Sequence, residues 1–320
     1  MSMETDPPGM ALLEGAVDCH VHACPHLNHR SLDIFEAVEQ AAAAGMRAIG
    51  LMDNFANTSG YATLVNRRLG YPGVEAFGGL IMEPPAGGVT VEAVTAALGY
   101  GYAGNGSDGA RFISLPTHHT RHVARLEQRS DSFVEACLAI PERGALPEPL
   151  PEILSLIAGA DAVLNTGHVS GPEAVRVVEA ARAAGVTRIL TPSSHYDADT
   201  VRALVSLGAR AEFSFFFVSH ATQAPLTHVD AARNTVPAVS AAQMAHLVRA
   251  AGPENCILSS DCGVALLPPP VEGLREFCLL LASHGLTEDE LRQMISETPK
   301  SLFRISDLAP FHEAAATNFS

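Results

Sequence analysis

Two histidines one residue apart, His20 and His22, close a strand-like run at 15–23. Alternate side chains of an extended backbone share a face, so Asp18, His20 and His22 are expected on one side and Cys19 and Val21 on the other. Imidazoles at i and i+2 lie roughly 6–7 Å apart along a strand. That is close enough to share one metal ion at about 2.0–2.1 Å per nitrogen. Three more strand-like runs end in groups of the same kind: Asn165-Thr166-Gly167-His168, Ser193-Ser194-His195 and Ser259-Ser260-Asp261. Alone, a histidine at a strand end is more often a hydrogen-bonded rim group, and an aspartate there a helix cap. Taken together, these endings suit a divalent metal centre.

Such groups meet only if the runs that carry them lie side by side. From 15 to 303, short β-branched or apolar runs alternate with Ala-rich amphipathic stretches, the pattern of a parallel sheet with crossover helices. Strands are expected at 15–23, 47–55, 74–82, 111–117, 162–169, 187–195, 211–218 and 255–261. Helices are expected at 31–45, with Ser31 as N-cap and Gly45 as stop, and at 90–98, 151–158, 171–185, 199–208, 240–251 and across 271–303. Eight βα units in about 290 residues fit a (β/α)8 TIM-type barrel better than an open doubly wound sheet. No GxGxxG follows the first strand to favour a dinucleotide fold. In such a barrel the catalytic groups gather at the carboxyl ends of the strands, where all four endings fall. The expected layout is an N-terminal tail at 1–14, one barrel domain at 15–305 and a C-terminal tail at 306–320, with a Gly-rich loop at 99–109. The stretch 118–151, between strands 4 and 5, is too long for an ordinary connection and reads as an insertion, with a hairpin over the barrel mouth.

Composition narrows the chemistry. The chain has 320 residues, 47% of them hydrophobic. It has no run of about 18 apolar residues and no basic leader before an apolar core, which reads as a globular cytoplasmic protein. A net charge of −15 with no basic stripe argues against nucleic acid and anionic membranes as partners. A small-molecule substrate is expected, and a homo-oligomer is compatible with the sequence. The six cysteines are scattered without CxxC spacing, as free thiols in a reducing compartment would be. Lys300 is the only lysine, and it lies far in sequence from every ending above. That nearly excludes Schiff-base, P-loop and carboxylated-lysine chemistry.

The order of endings resembles the amidohydrolase superfamily over about 15–303, and residues 18–25, 166–173 and 259–263 look most like an uncharacterised bacterial branch of it. The resemblance implies that His20, His22, His168 and Asp261 hold the main metal and that a metal-bound hydroxide attacks an amide, lactam, imide or ester carbonyl, C–N ahead of C–O. Asp261 would accept the proton from that water and return it to the leaving group. His195 would hold the hydroxide, polarise the carbonyl or bind a second metal. One divalent ion is expected, zinc by donor type, with iron or manganese fitting the same ligands. The sequence departs from the family where many relatives bridge two metals through a carboxylated lysine. The end of strand 2, often Lys-x-His in that branch, here reads Met52-Asp53-Asn54. A second metal would need Glu83, Asp53 or the pair His118 and His119, and is not expected.

Other residues are candidates for contacting substrate. His26 and Arg30 follow strand 1, Glu83 ends strand 3, His118, His119 and Arg121 follow strand 4, and His220 follows strand 7. Arg30 or Arg121 could pair a substrate carboxylate. Phe215, Phe216 and Phe217 read as packing residues, and His246 and His284 as helix residues remote from the mouth. Two readings compete with hydrolysis: a decarboxylase or other lyase using the same metal, and a barrel that binds a ligand without catalysis. Phosphoester hydrolysis ranks lower because the mouth shows few cations.

Overall fold

A computed structural model of the chain describes residues 7–69, 73–101 and 109–306. The strands run β1 (Val17–Val21), β2 (Ala48–Leu51), β3 (Glu75–Ile81), β4 (Phe112–Ser114), β5 (Val163–Asn165), β6 (Ile189–Pro192) and β7 (Arg210–Ser214). A small hairpin, β8 (Leu226–Thr227) and β9 (Arg233–Asn234), precedes the eighth barrel strand, β10 (Cys256–Ser259). The barrel strands form one eight-stranded sheet in sequence order. The last strand returns to the first through Asp261 N–H to His20 O and His22 N–H to Cys262 O, at 2.9 and 2.8 Å. The (β/α)8 barrel is the architecture that forms.

The helices are α1 (Ile34–Ala43), α2 (Ser59–Leu69), α3 (Val91–Gly99), α4 (Arg121–Leu126), α5 (Asp131–Ala136), α6 (Leu150–Gly159), α7 (Gly171–Ala183), α8 (Ala198–Ser206), α9 (Phe215–Val218), α10 (Ala241–Ala251), α11 (Pro270–Ser283), α12 (Glu288–Arg292) and, after a π turn at Gln293–Glu297, α13 (Thr298–Phe303). No helix among the described residues is long and apolar enough to cross a membrane. All six cysteines are free thiols.

Several sequence expectations need correction. The N-cap of α1 is Asp33, not Ser31, because Asp33 and Glu36 bind each other's backbone N–H in a capping box. The seventh strand stops at Ser214, and Phe215–Val218 turn into α9. The insertion at 118–151 carries the short helices α4 and α5 rather than a hairpin. Two elements escaped the reading: α2, and the β8–β9 hairpin inside the long connection 219–239. The expected N-terminal tail includes a 3-10 turn at Met10–Leu13, with Leu13 fully buried. Most of the loop 99–109 and almost all of the tail 306–320 lie outside the described residues.

Two apolar layers hold the barrel. One lies between strands and helices. The other fills the interior with Val17, Cys19, Phe77, Phe112, Leu190 and Ile257, and meets Leu302 and Phe303 of α13 at the amino end. The rings of Phe77 and Phe303 are 4.7 Å apart. Arginines at the starts of β2, β4 and β6 donate to the carbonyls there: Arg47 to Ser306, Arg111 to Phe303, and Arg188 to Ser301 and Leu302, at 2.6–3.0 Å. Guanidinium groups suit the unpaired carbonyls and negative end of a helix. Lys300 is on this side, near Gly15 and away from the strand carboxyl ends.

The first strand breaks the expected alternation. Val17 and Asp18 pair with Ala48 and Ile49, but Val21 pairs with Leu51, so β1 carries one extra residue. A bulge of this kind re-aims the side chains that follow it. Cys19 shares the interior face with Val17, its Sγ 3.9 Å from Glu212 Oε1, instead of facing the helices. Asp18 leaves the inward set and accepts the N–H groups of Ser260 and His20 at 3.0 and 3.2 Å. Burial pushes its carboxyl up to about 7. Beyond the bulge, His20 points inward at Glu212, and Val21 joins the layer beneath the helices.

Just past β10, Gly263 has φ of 110°, and an added Cβ would stand 1.5 Å from His22 O. Gly263→Ala is expected to cost more than about 1 kcal/mol, read as a lower urea midpoint. An unchanged midpoint would show that the β1–β10 junction has slack.

Candidate metal centre

At the carboxyl end of the barrel, His20 of β1, His22 just after it and Asp261 after β10 are all buried, and one ligand atom from each lies within 4.8 Å of the others. Asp261 Oδ1 is 3.3 Å from His20 Nε2 and 3.2 Å from His22 Nε2. Ligand atoms about 2.0–2.2 Å from a tetrahedral ion stand about 3.3–3.6 Å apart, so the donor spacing fits a metal. Asp261 itself has φ of 51°, a left-handed backbone that a non-glycine residue adopts at a cost of about 1 kcal/mol or more. The seam hydrogen bond from its N–H to His20 O helps to hold it there.

Glu212 of β7 is the residue that sequence reasoning missed. Its buried carboxylate takes His20 Nδ1 at 3.0 Å and the Ser259 hydroxyl at 2.8 Å. A carboxylate can only accept, so Nδ1 of His20 carries the proton and Nε2 turns to Asp261. Such carboxylate–imidazole pairs orient ligands in metal sites. The signal was present: Glu212 is the one acid in the otherwise mostly apolar run 211–218.

Charge and burial compete at each group. Burial pulls the pKa of His20 down, but Asp261 and Glu212 outweigh it and raise it to about 9. Burial pushes Asp261 up, and the charges of His20 and His22 reverse the sign and hold it low. Burial lowers His22. His168, at the end of β5, is pushed down by burial to about 3 and feels Asp261, His118, His20 and His195. It stands beside the three-residue group and is not part of it.

The other expected residues distribute unevenly. His195 Nε2 is 2.9 Å from Pro237 O, and its ring packs edge-on against Phe217. A carbonyl only accepts, so Nε2 carries the proton and Nδ1 presents a lone pair. His26 is a buried ring 3.5 Å from Asp53. Glu83 accepts the N–H of both His118 and His119 and pairs with His119 Nδ1. Burial pushes Glu83 up, but the His119 bond and the neighbouring imidazoles bring it below its ordinary value. His118 Nδ1 binds Glu127 at 2.8 Å, and its ring stacks on His228 at 4.4 Å. Exposed His220 sits 3.4 Å from Gln223. His228 is the histidine of that connection that reaches the others, and the unusual length of 219–239 was the cue for it. His246 and His284 are exposed on helices or helix ends, as expected. A cavity of about 370 Å³ under the insertion is lined by Met82, Pro116, His119, Cys137 and Leu138, apart from the three-residue group.

Solved structures with this fold include an amidohydrolase from Pseudomonas aeruginosa, at 9% identity and TM-score 0.57 over 92% of this chain and 97% of that one. A mutant organophosphorus hydrolase from Deinococcus radiodurans matches at 16% and 0.57, over 92% and 94%. A phosphotriesterase homology protein from Escherichia coli, with phosphate in its active site, matches at 15% and 0.56, over 91% and 99%. At these identities the likeness establishes the fold, an amidohydrolase and phosphotriesterase type of barrel. No curated protein matches the chain in sequence. A model for a family of unknown function (DUF6282) matches residues 15–248.

Two outcomes are expected of this geometry. Glu212→Gln should weaken metal affinity about 10–100-fold, measured by competition with a chromogenic chelator; an unchanged affinity would reduce Glu212 to packing. Metal uptake near pH 7.5 should release about one proton, because the His20 proton must leave Nε2 before a metal binds there. The release should vanish above the raised pKa of about 9. Calorimetry in buffers of different ionisation enthalpy measures it, and no release at neutral pH would contradict the assignment.

Proposed function

The chain belongs to DUF6282, a family of unknown function, and we propose that it is a metal-dependent hydrolase of amide, lactam, imide or ester bonds, C–N ahead of C–O. The observation that carries this reading is the buried group of His20, His22 and Asp261, spaced for one ion at the end of the barrel where reactions occur. His20, His22 and Asp261 would hold the ion, with His168, after β5, a further candidate ligand. When bound, it would lower the pKa of a water towards about 7 and polarise a carbonyl. Nitrogen and carboxylate donors in this number suit zinc, with iron or manganese as substitutes.

The remaining chemistry belongs to the chain. Asp261, ionised between two imidazoles, takes the proton of the attacking water and delivers it to the leaving nitrogen or oxygen. Glu212 fixes the His20 tautomer so that Nε2 faces inward. His195, neutral because burial lowers its pKa, offers Nδ1 as a lone pair, so it can ligate but cannot donate to an oxyanion while Pro237 holds Nε2–H. Glu83 is committed to His118 and His119, which supports one ion rather than two.

Elemental mass spectrometry of untagged protein, purified without chelator, tests the reading beside a His20→Ala/His22→Ala variant. About one equivalent of zinc, iron or manganese, lost in the variant, is expected. Two equivalents would bring Glu83 or Asp53 back as a bridge. No metal, and none on reconstitution, would sink the proposal. With metal present, carbon dioxide release in place of ring opening from cyclic amides and lactones would favour a lyase.

A further inference from the structure

Arg30 lies in the loop after β1, half-buried and without an ion pair among the described residues. Its hydrogen bonds go to neutral groups, Nη1 to His29 O at 3.3 Å and Nη2 to His26 Nε2 at 2.7 Å, and its buried Nε has no partner. A half-buried guanidinium ordinarily finds a carboxylate. The contact with His26 is itself incomplete. His26 Nδ1 already accepts the N–H of Asn28 at 2.9 Å. A neutral imidazole accepts at only one nitrogen, so Nε2 carries a proton, and two donors then face each other. Asp53 Oδ1 stands 3.5 Å from Nε2 and makes no hydrogen bond there, so an oxygen ligand seated on both donors would satisfy them.

The place is built, because the His26 side chain is fully buried. The β8–β9 hairpin closes over it. Asn28 Nδ2 donates to the carbonyls of Thr227 and His228, both at 3.0 Å, and Arg129 pairs with Asp230 on the other flank. This holds His228 above the mouth, stacked on His118, with a buried Nε2 that has no partner. Asn28 binds His26 through its N–H and the hairpin through its Nδ2, so it ties His228 to the loop that carries His26 and Arg30. Burial keeps both His26 and His228 near 3, hence neutral, and a carboxylate oxygen would select the Nε2–H tautomer of His228.

We propose that Arg30, His26 and His228 form a seat for a carboxylate on the substrate, beside the group His20, His22 and Asp261. The inference rests on the hydrolase reading for its neighbour and on the unpaired donors for itself. Arg30 is the one full positive charge of the seat and Asp53 already offsets part of it, which favours a monoanionic carboxylate over a dianionic phosphate. The planar fork of Arg30 matches two carboxylate oxygens. The substrate class is then a cyclic or open amide or ester that carries a carboxylate apart from the scissile bond.

The test uses the metal-loaded full chain. Hydrolysis of mono-4-nitrophenyl glutarate is compared with that of 4-nitrophenyl valerate, and binding of glutarate is measured by calorimetry. The wild type should prefer the carboxylated ester. Arg30→Met should cut the ratio of kcat/KM values roughly tenfold or more and weaken glutarate by a similar factor. His228→Phe, which keeps a ring on His118, should cut the ratio several-fold and serves if Arg30→Met does not fold. A folded Arg30→Met with unchanged ratio and glutarate affinity overturns the seat. So does tighter binding of methylphosphonate than of glutarate. If neither ester is cleaved, hydrolysis falls and the titration decides the seat: Arg30-dependent binding supports it, and no binding at millimolar glutarate ends it.

Discussion

Two hydrogen bonds between strands far apart in sequence, from Asp261 N–H to His20 O and from His22 N–H to Cys262 O, close the barrel and define the centre. They tie the backbone of all three candidate ligands into one ladder. The extra residue in β1 turns His20 inward at this ladder, and Asp18 pins the turn by taking Ser260 N–H. Barrel closure and ligand placement are thus one event. The left-handed backbone of Asp261 is held at the same point, as expected where the surrounding structure over-determines a strained residue.

Around that seam, imidazoles of the mouth are paired with carboxylates: His20 with Glu212, His118 with Glu127 and His119 with Glu83. Each pairing fixes which nitrogen holds a proton and which is left for other work. Arg30, beside His26, has no such partner among the described residues.

The barrel was legible because apolar runs and Ala-rich helices alternate over nearly the whole chain, a signal that averages over many residues. The strand endings were legible for the same reason, since side-chain type and strand position are both local. The facing of Asp18 and Cys19 was not, because a one-residue bulge is set by pairing with β2 and leaves the sequence of β1 unmarked. Glu212 was visible as an acid in the mostly apolar run 211–218, but its partner His20 lies 192 residues away. His228 was hidden in a connection whose two-residue strands are too short for periodicity.

The plug at the amino end has a consequence for how the protein is made. The floor of the barrel is laid by Leu302 and Phe303, and Arg47, Arg111 and Arg188 wait for carbonyls that come after the eighth strand. The seam joins residues 242 apart. On the ribosome, a nascent chain would hold most of its strands while its floor and its last staves were still missing. Until then Phe77 and Phe112 lack the residues that cover them, so the interval between emergence of β4 and completion of α13 leaves apolar surface of the kind that aggregates.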